Sequence, residues 1–244
     1  MMIKSVEHTL LHLQVRRLLL NEIVRGEFAA ADMLPTETEL CNRLKVSRST
    51  LRQAVTSLEQ EGYLRRRQGM GTIIDREVCN MTARFDLNSE FSILLGDLGY
   101  TPSVLFLKAK EEPAGSERAR PLHLKPDDSL LSITKLWLAD NRPAIWCTDS
   151  VPTALIRRSF PEDLLHKDIF SFLEGACQQV VSYQIASLSA RLAGDLSQDL
   201  GIEPGEPIIA SSAVGYNPRG SPVMYNFEVY APGILTPTVL RAKI

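Results

Sequence analysis

The amino-acid sequence predicts an α+β chain: an N-terminal winged helix-turn-helix joined to a C-terminal α+β domain with an antiparallel sheet. Three observations lead there. Two short amphipathic segments, residues 36–43 and 47–60, flank a tight turn. They are followed by a basic stretch with two glycines, "YLRRRQGMGTIID". Beyond residue 88 the texture changes to apolar runs punctuated by proline and glycine. A chain of 244 residues has room for two modest domains.

Residues 9–25 read as an amphipathic helix, with Leu10, Leu11, Leu18, Ile23 and Val24 among its apolar positions. Gly26 is expected to end it as a left-handed cap. Thr36 can cap the next helix, and Glu39, three residues on, can reach back to complete a capping box. "LKV" then turns the chain, and Ser47 caps a further helix. There Leu51, Ala54, Val55 and Leu58 recur at i, i+3, i+4 and i+7, a buried stripe. Arg48, Ser49, Arg52 and Gln53 share the opposite side. Gly62 stops this helix, and Tyr63, Leu64 and residues 72–74 form two short strands about a tip at residues 68–71. A short helix, a turn, a second helix and a basic hairpin make a winged helix.

Charge gives that element a partner. The net charge is −2, yet residues 43–67 hold seven basic side chains against two acidic ones, a local +5 that suits a polyanion. Arginine can offer two donors to the O6 and N7 acceptors of guanine or clamp a phosphate. Hydroxyls at a helix N-terminus suit phosphate oxygens, and glycines at the wing tip allow close approach to a groove.

Residues 76–88 are polar and weakly patterned, and are expected to form a linker between a domain at residues 1–75 and another at residues 89–244. In the latter, residues 101–112, 129–140, 142–152, 206–217 and 221–231 read as strands. Residues 90–98, 116–122, 169–176 and 186–200 read as helices, and Asn141 and Asn217 mark hairpin turns. Helices over an antiparallel sheet define an α+β domain.

The stretch "LPTETELCNRLKVSRSTLRQAVTSLEQEGYLRRRQGMGTII" resembles the DNA-binding domain of the GntR family of bacterial transcription regulators. It carries the family's LP-x-E-x-EL opening, VSR-x-T-x-R, L-x-x-EG and G-x-GT in order. The resemblance implies that Arg48, Ser49 and Arg52 meet the operator major groove or its flanking phosphates. It also implies that the wing tip, with Gln68, Gly69 and Gly71, enters the adjacent minor groove. Glu37, Thr38, Ser47, Thr50, Arg65 and Arg67 complete the expected interface, and for Ser47 and Thr50 a structural role beside the turn stands equally open. Thr38 stands where the family often has a DNA-touching arginine, and Lys45 where a glycine is frequent.

Residues 85–242 resemble the UTRA effector domain of the HutC subfamily, similar in fold to chorismate lyase. The echoes are "LGDLGYTPS", "NRPAIWCTDSVP", "FSFLE", "LAGDLSQDLGIEPGEPII" and "RGSPVMYNFEVY". This resemblance implies a homodimer formed through the sheet, a small-molecule metabolite as effector, and double-stranded, palindromic operator DNA as partner. Expected effector-binding residues are Lys135, Trp137, Asp149, Tyr225 and Glu228. Lys135 and Trp137 replace an Arg-x-Arg pair common in sugar-phosphate-binding members, and lysine cannot offer the bidentate fork. A carboxylate or an amine suits lysine, aspartate and tryptophan better.

Other classes are disfavoured. His8, His12, His123 and His166 are dispersed, with no nucleophile motif or metal-ligand spacing, so no catalytic residues, metal or cofactor are expected. No apolar run approaches a membrane span, and the N-terminus lacks the pattern of a signal peptide. Cys41, Cys79, Cys147 and Cys177 lie far apart, as scattered thiols of a cytoplasmic protein do. The expectation is a sequence-specific DNA-binding regulator, a repressor controlled by a small effector. The alternatives are an enzyme on the lyase-like domain and a GntR regulator with an all-helical carboxylate-binding domain.

Overall fold

The computed structural model describes residues 6–81, 83–87, 90–157 and 159–241, with side chains from Leu11 onward. The chain divides into two compact units, Met1–Leu87 with Thr238–Ile244, and Asn88–Pro237.

The first unit opens with helix α1 (Val6–Val24), which buries Val15, Leu19 and Ile23 at four-residue spacing. Leu18, expected on the apolar side, is exposed, and Leu10 lies outside the described side chains. Gly26 does not take the left-handed cap. Its amide bonds the Asn21 carbonyl at 3.1 Å, and a Cβ there would sit 2.2 Å from the Glu22 carboxylate, so the reason for glycine is steric. Helix α2 (Glu37–Leu44) is capped by Thr36, whose Oγ1 accepts from the Glu39 amide at 3.3 Å. The reciprocal half of the expected capping box is replaced, because the Glu39 carboxylate turns to Arg43 at 3.3 Å. Lys45 itself adopts the left-handed conformation that turns the chain, with φ 53° and ψ 43°. Helix α3 (Arg48–Gln60) follows, capped by Ser47, and inserts Leu51, Ala54, Val55 and Leu58 into the core.

Strands β1 (Leu64–Arg67) and β2 (Gly71–Ile74) form the wing, with Arg67 opposite Gly71 and Leu64 opposite Ile74. The stretch expected as a linker belongs largely to this unit. Helix α4 (Arg76–Cys79) buries Val78 and Cys79, while the Arg76 guanidinium donates to the carbonyls of Ile23, Phe28 and Ala31. Buried Arg84 pairs with Asp86 and donates to the Glu61 carbonyl. The chain's end packs here too: the Phe85 amide bonds the Thr238 carbonyl at 2.9 Å, and Leu240 packs against the first unit's core. The division at residues 76–88 therefore shifts to residue 87, with a second crossing at residue 237. Backbone and guanidinium hydrogen bonds, which hydropathy does not register, hold both segments.

The second unit begins with helix α5 (Phe91–Asp97), strand β3 (Pro102–Pro113) and helix α6 (Gly115–Leu122). The hairpin of β4 (Ser129–Ala139) and β5 (Arg142–Pro152) turns through Asp140 and Asn141, both at positive φ. Helix α7 (Ile169–Phe172) widens into a π-type turn at Leu173–Cys177. Strand β6 (Tyr183–Leu192), helix α8 (Ser197–Leu200), and strands β7 (Pro207–Tyr216) and β8 (Pro222–Tyr230) complete it. The order β3-β4-β5-β8-β7-β6 makes one antiparallel six-stranded sheet. That sheet rules out the all-helical alternative.

Residues 186–200, expected as one helix, divide at Ala193 instead. Ile185, Leu188 and Leu192 mimic helical spacing, but ten residues of β6 pair with β7 from Tyr183↔Tyr216 to Leu192↔Pro207. Pairing along a ready strand satisfies the backbone of the segment and overrides its local periodicity.

Candidate nucleic-acid interface and ligand cavity

On the first unit, the N-terminal turn of α3 places Arg48, Ser49, Arg52 and Gln53 in solvent. Arg48 reaches the Thr38 hydroxyl at 3.4 Å, so Thr38 orients an arginine in place of supplying one. Glu37, on the first turn of α2, accepts from Arg52 Nε at 2.8 Å and lies 4.0 Å from Arg66. Ser47 Oγ accepts from the Thr50 amide at 3.2 Å and meets the hydroxyls of Ser49 and Thr50, each at 2.8 Å. Thr50 is 3% exposed, so its place is inside the turn and not at a surface contact. The inward stripe of α3 leaves it no exposed face.

The wing presents Arg65, Arg66, Arg67, Gln68, Gly69 and Met70 as an exposed series. Gly69 at φ +78° and Gly71 at φ +103° make its turn, a conformation that side chains with a Cβ resist. Arg65 pairs with Asp75 at 2.9 Å, whereas Arg66, between them in sequence, leans back on Glu59 at 3.6 Å.

The second unit holds a small cavity of about 30 Å³, partly open to solvent, on one face of the sheet. Cross-strand pairing explains its membership. Lys135, Cys147, Glu228, Ser211 and Leu188 form one row across β4, β5, β8, β7 and β6, and so share a face. The adjacent rows contribute Asp149 with Asn226 on one side and Trp137 on the other. Phe91, with Asp168, Ile169 and Phe170, closes over this face. Lys135, Trp137, Asp149 and Glu228 thus come together around one cavity. Tyr225 does not: strand alternation puts it on the opposite face, packed near Ala119 and Leu122 of α6, with its hydroxyl 3.5 Å from Glu117.

Asn226, Met224 and Gln184 were missed, although alternation from Glu228 places Asn226 and Met224 on the cavity face. Asp168 and Phe170 come from a segment with no such signal.

The electrostatics are unusual for so small a space. Lys135 is fully buried, and its ammonium donates to the Lys167 carbonyl. Asp149 accepts from Asn226 Nδ2 at 2.7 Å. Burial holds the Asp149 carboxyl above the usual range, with Lys135 and the Asn226 bond opposing. Burial likewise pushes Glu228 up to about 7, opposed by the Tyr230 hydroxyl that donates to it. The Cys147 thiol beneath is pushed well up by burial, which leaves it inert as a nucleophile.

An arginine-bearing helix beside a glycine-tipped wing, on a chain that continues into a separate sheet unit with its own small cavity, defines the class of winged-helix proteins with a second domain. Residues 11–74 match the bacterial regulatory proteins of the gntR family, and residues 97–233 match the UTRA domain. The chain belongs to the GntR family, in the branch that carries a UTRA domain. YurK of Bacillus subtilis, an uncharacterized HTH-type transcriptional regulator, is 28% identical over 142 residues, and the match spans only 58% of each chain. The mannosyl-D-glycerate transport/metabolism system repressor MngR of Escherichia coli is 26% identical over 227 residues, 91% of this chain and 92% of that one. The crystal structure of the possible transcriptional regulator YydK from Bacillus subtilis superposes with a TM-score of 0.73 at 15% identity, covering 96% of this chain and 99% of that one. At that identity the likeness concerns the fold alone. Both of these curated relatives are named as regulators.

Proposed function

We propose that this protein is a sequence-specific transcriptional repressor whose operator affinity is set by a small metabolite in the sheet cavity. The observation that carries the reading is the joint exposure of Arg48 and Arg52 on the capped end of α3, beside a wing whose glycines let it approach a groove. Arg48, Ser49 and Arg52 read the major groove, Gln68, Gly69 and Gly71 enter the minor groove, and Arg65 and Arg67 contact phosphates. Glu37, Thr38 and Ser47 hold the arginines and the turn in place. Lys135, Trp137, Asp149 and Glu228 receive the effector.

The working species is a homodimer on a palindromic operator in the cytoplasm. Edge strand β6 supports this: Ile185, Leu188 and Leu192 are each at least half exposed there, which is apolar surface a monomer would not keep. Among the described residues no helix is long and apolar enough to cross a membrane.

The test is a fluorescence-anisotropy titration of DNA from upstream of the protein's own gene. Arg48→Ala and Arg52→Ala are each expected to weaken binding by about 1–3 kcal/mol. Native affinity in both variants would refute the assignment.

A further inference from the structure

Four carboxyl groups line the cavity, those of Glu90, Asp149, Asp168 and Glu228, against one ammonium, that of Lys135. The lysine is already engaged, because its ammonium donates to the Lys167 carbonyl. Asp168 is engaged as well, accepting from the Ser171 amide at 2.9 Å and the Ser171 hydroxyl at 2.6 Å. Asp149 and Glu228 remain as buried or half-buried acids on the cavity face, each held by a single neutral donor, Asn226 Nδ2 and the Tyr230 hydroxyl.

Asn226 supplies the decisive observation. Its Nδ2 must face Asp149, since the reverse orientation would set a carbonyl oxygen against a carboxylate. That leaves Oδ1, on a side chain only 2% exposed, without a hydrogen-bond donor among the described residues. An acceptor so placed carries an uncompensated desolvation penalty until a donor reaches it. The surroundings therefore ask for donors and positive charge together. An anion would meet several carboxylates and a lysine that lacks the arginine fork. The remaining lining is aromatic and apolar: Phe91 and Trp137 pack edge to face at 5.8 Å, with Phe170 and Met224 nearby.

We propose that this cavity takes a protonated amine carried on an aromatic or other compact apolar body. The ammonium donates to Asn226 Oδ1 and to the carboxylates of Asp149 and Glu228, and the body enters by displacing Phe91 and Phe170 from the cavity of about 30 Å³, to lie against them and Trp137, whose ring faces also favour a cation. The inference rests on the reading of this cavity as the effector site.

The test uses the full chain in thermal-shift and calorimetric titrations at pH 8. The cationic probes are phenethylamine, tyramine and histamine, and the anionic probes are 3-phenylpropanoate and glucose 6-phosphate. At least one amine is expected to raise the unfolding midpoint by several degrees, as a ligand of the native state must, while the anions leave it unchanged. Glu228→Gln and Asn226→Leu are each expected to weaken that amine tenfold or more. The comparison of amines with anions on the native chain needs no variant, so it survives a variant that fails to fold. Binding of an anion and no amine overturns the ligand class and leaves the cavity standing as the effector site. Absence of a shift from every amine also overturns the ligand class. Amine binding of native strength in both variants overturns the effector-site reading itself, because the ligand would then lie elsewhere.

Discussion

Glu228 shows how one side chain ties the cavity to stability. An ordinary glutamate titrates near 4.5, whereas burial holds this one at about 7. Below pH 4.5 both the folded and the unfolded chain keep the proton. Between 4.5 and 7 the unfolded chain releases it and the fold does not, so stability falls through that window and levels above it. The full loss is about 3 kcal/mol by linkage. Thermal midpoints of the native protein should therefore fall more steeply from pH 5 to pH 7 than those of Glu228→Gln. Parallel curves would show that Glu228 titrates normally. On the other unit, Arg52 illustrates a different use of a carboxylate: its pairing with Glu37 is exposed, so it orients the guanidinium at little energetic cost when DNA competes.

Two elements carry costs that the rest of the fold absorbs. The turn between α2 and α3 forces Lys45 to a positive φ, where a Cβ crowds the following carbonyl by about 1–2 kcal/mol. Lys45→Gly removes the crowding but loosens the unfolded chain. A net gain of about 1 kcal/mol in denaturant unfolding is expected. Unchanged stability would mean the turn is relaxed as it stands. The C-terminal segment behaves as part of the winged helix despite its distance in sequence. Leu240 lies so close to Gly62 that a Cβ added there would meet it at 2.6 Å, and Thr238 exchanges hydrogen bonds with residues 83 and 85. Leu240→Ala should destabilise this unit by about 1 kcal/mol or more through lost apolar burial. Hydrogen exchange localised to α3 and the wing would report it, and protection equal to the native protein's would refute it.

At the scale of the whole molecule, the chain passes between its two units twice, near residues 87 and 237. A ligand in the sheet unit thus has two covalent routes by which to bias the winged helix. The coupling typical of such sites is about 1–3 kcal/mol. The proposed dimer is the other question at this scale, and β6 carries the exposed apolar surface on which that proposal rests. Leu188→Asp with Leu192→Asp should yield a monomer in light scattering and weaken operator binding, since two half-sites are then no longer read together. A dimer that persists in this double variant would move the interface elsewhere.

The winged helix was legible from local signals because its elements are short, capped and amphipathic. The Thr36 and Ser47 caps, the α3 stripe and the wing glycines each act within a few residues. The cavity was legible only in part. Lys135, Trp137, Asp149 and Glu228 could be named through the family resemblance and Asn226 follows from alternation with Glu228, yet Asp168 and Phe170 join them only because a distant segment folds over the sheet. The same non-local pairing turned residues 183–192 into a strand, and hydrogen bonds to distant carbonyls bound residues 76–87 and 238–241 to the first unit. Local composition sets caps, turns and stripes, because those interactions close within one or two turns of chain. Which distant backbone a segment pairs with, and so which face its side chains meet, is settled by the tertiary fold.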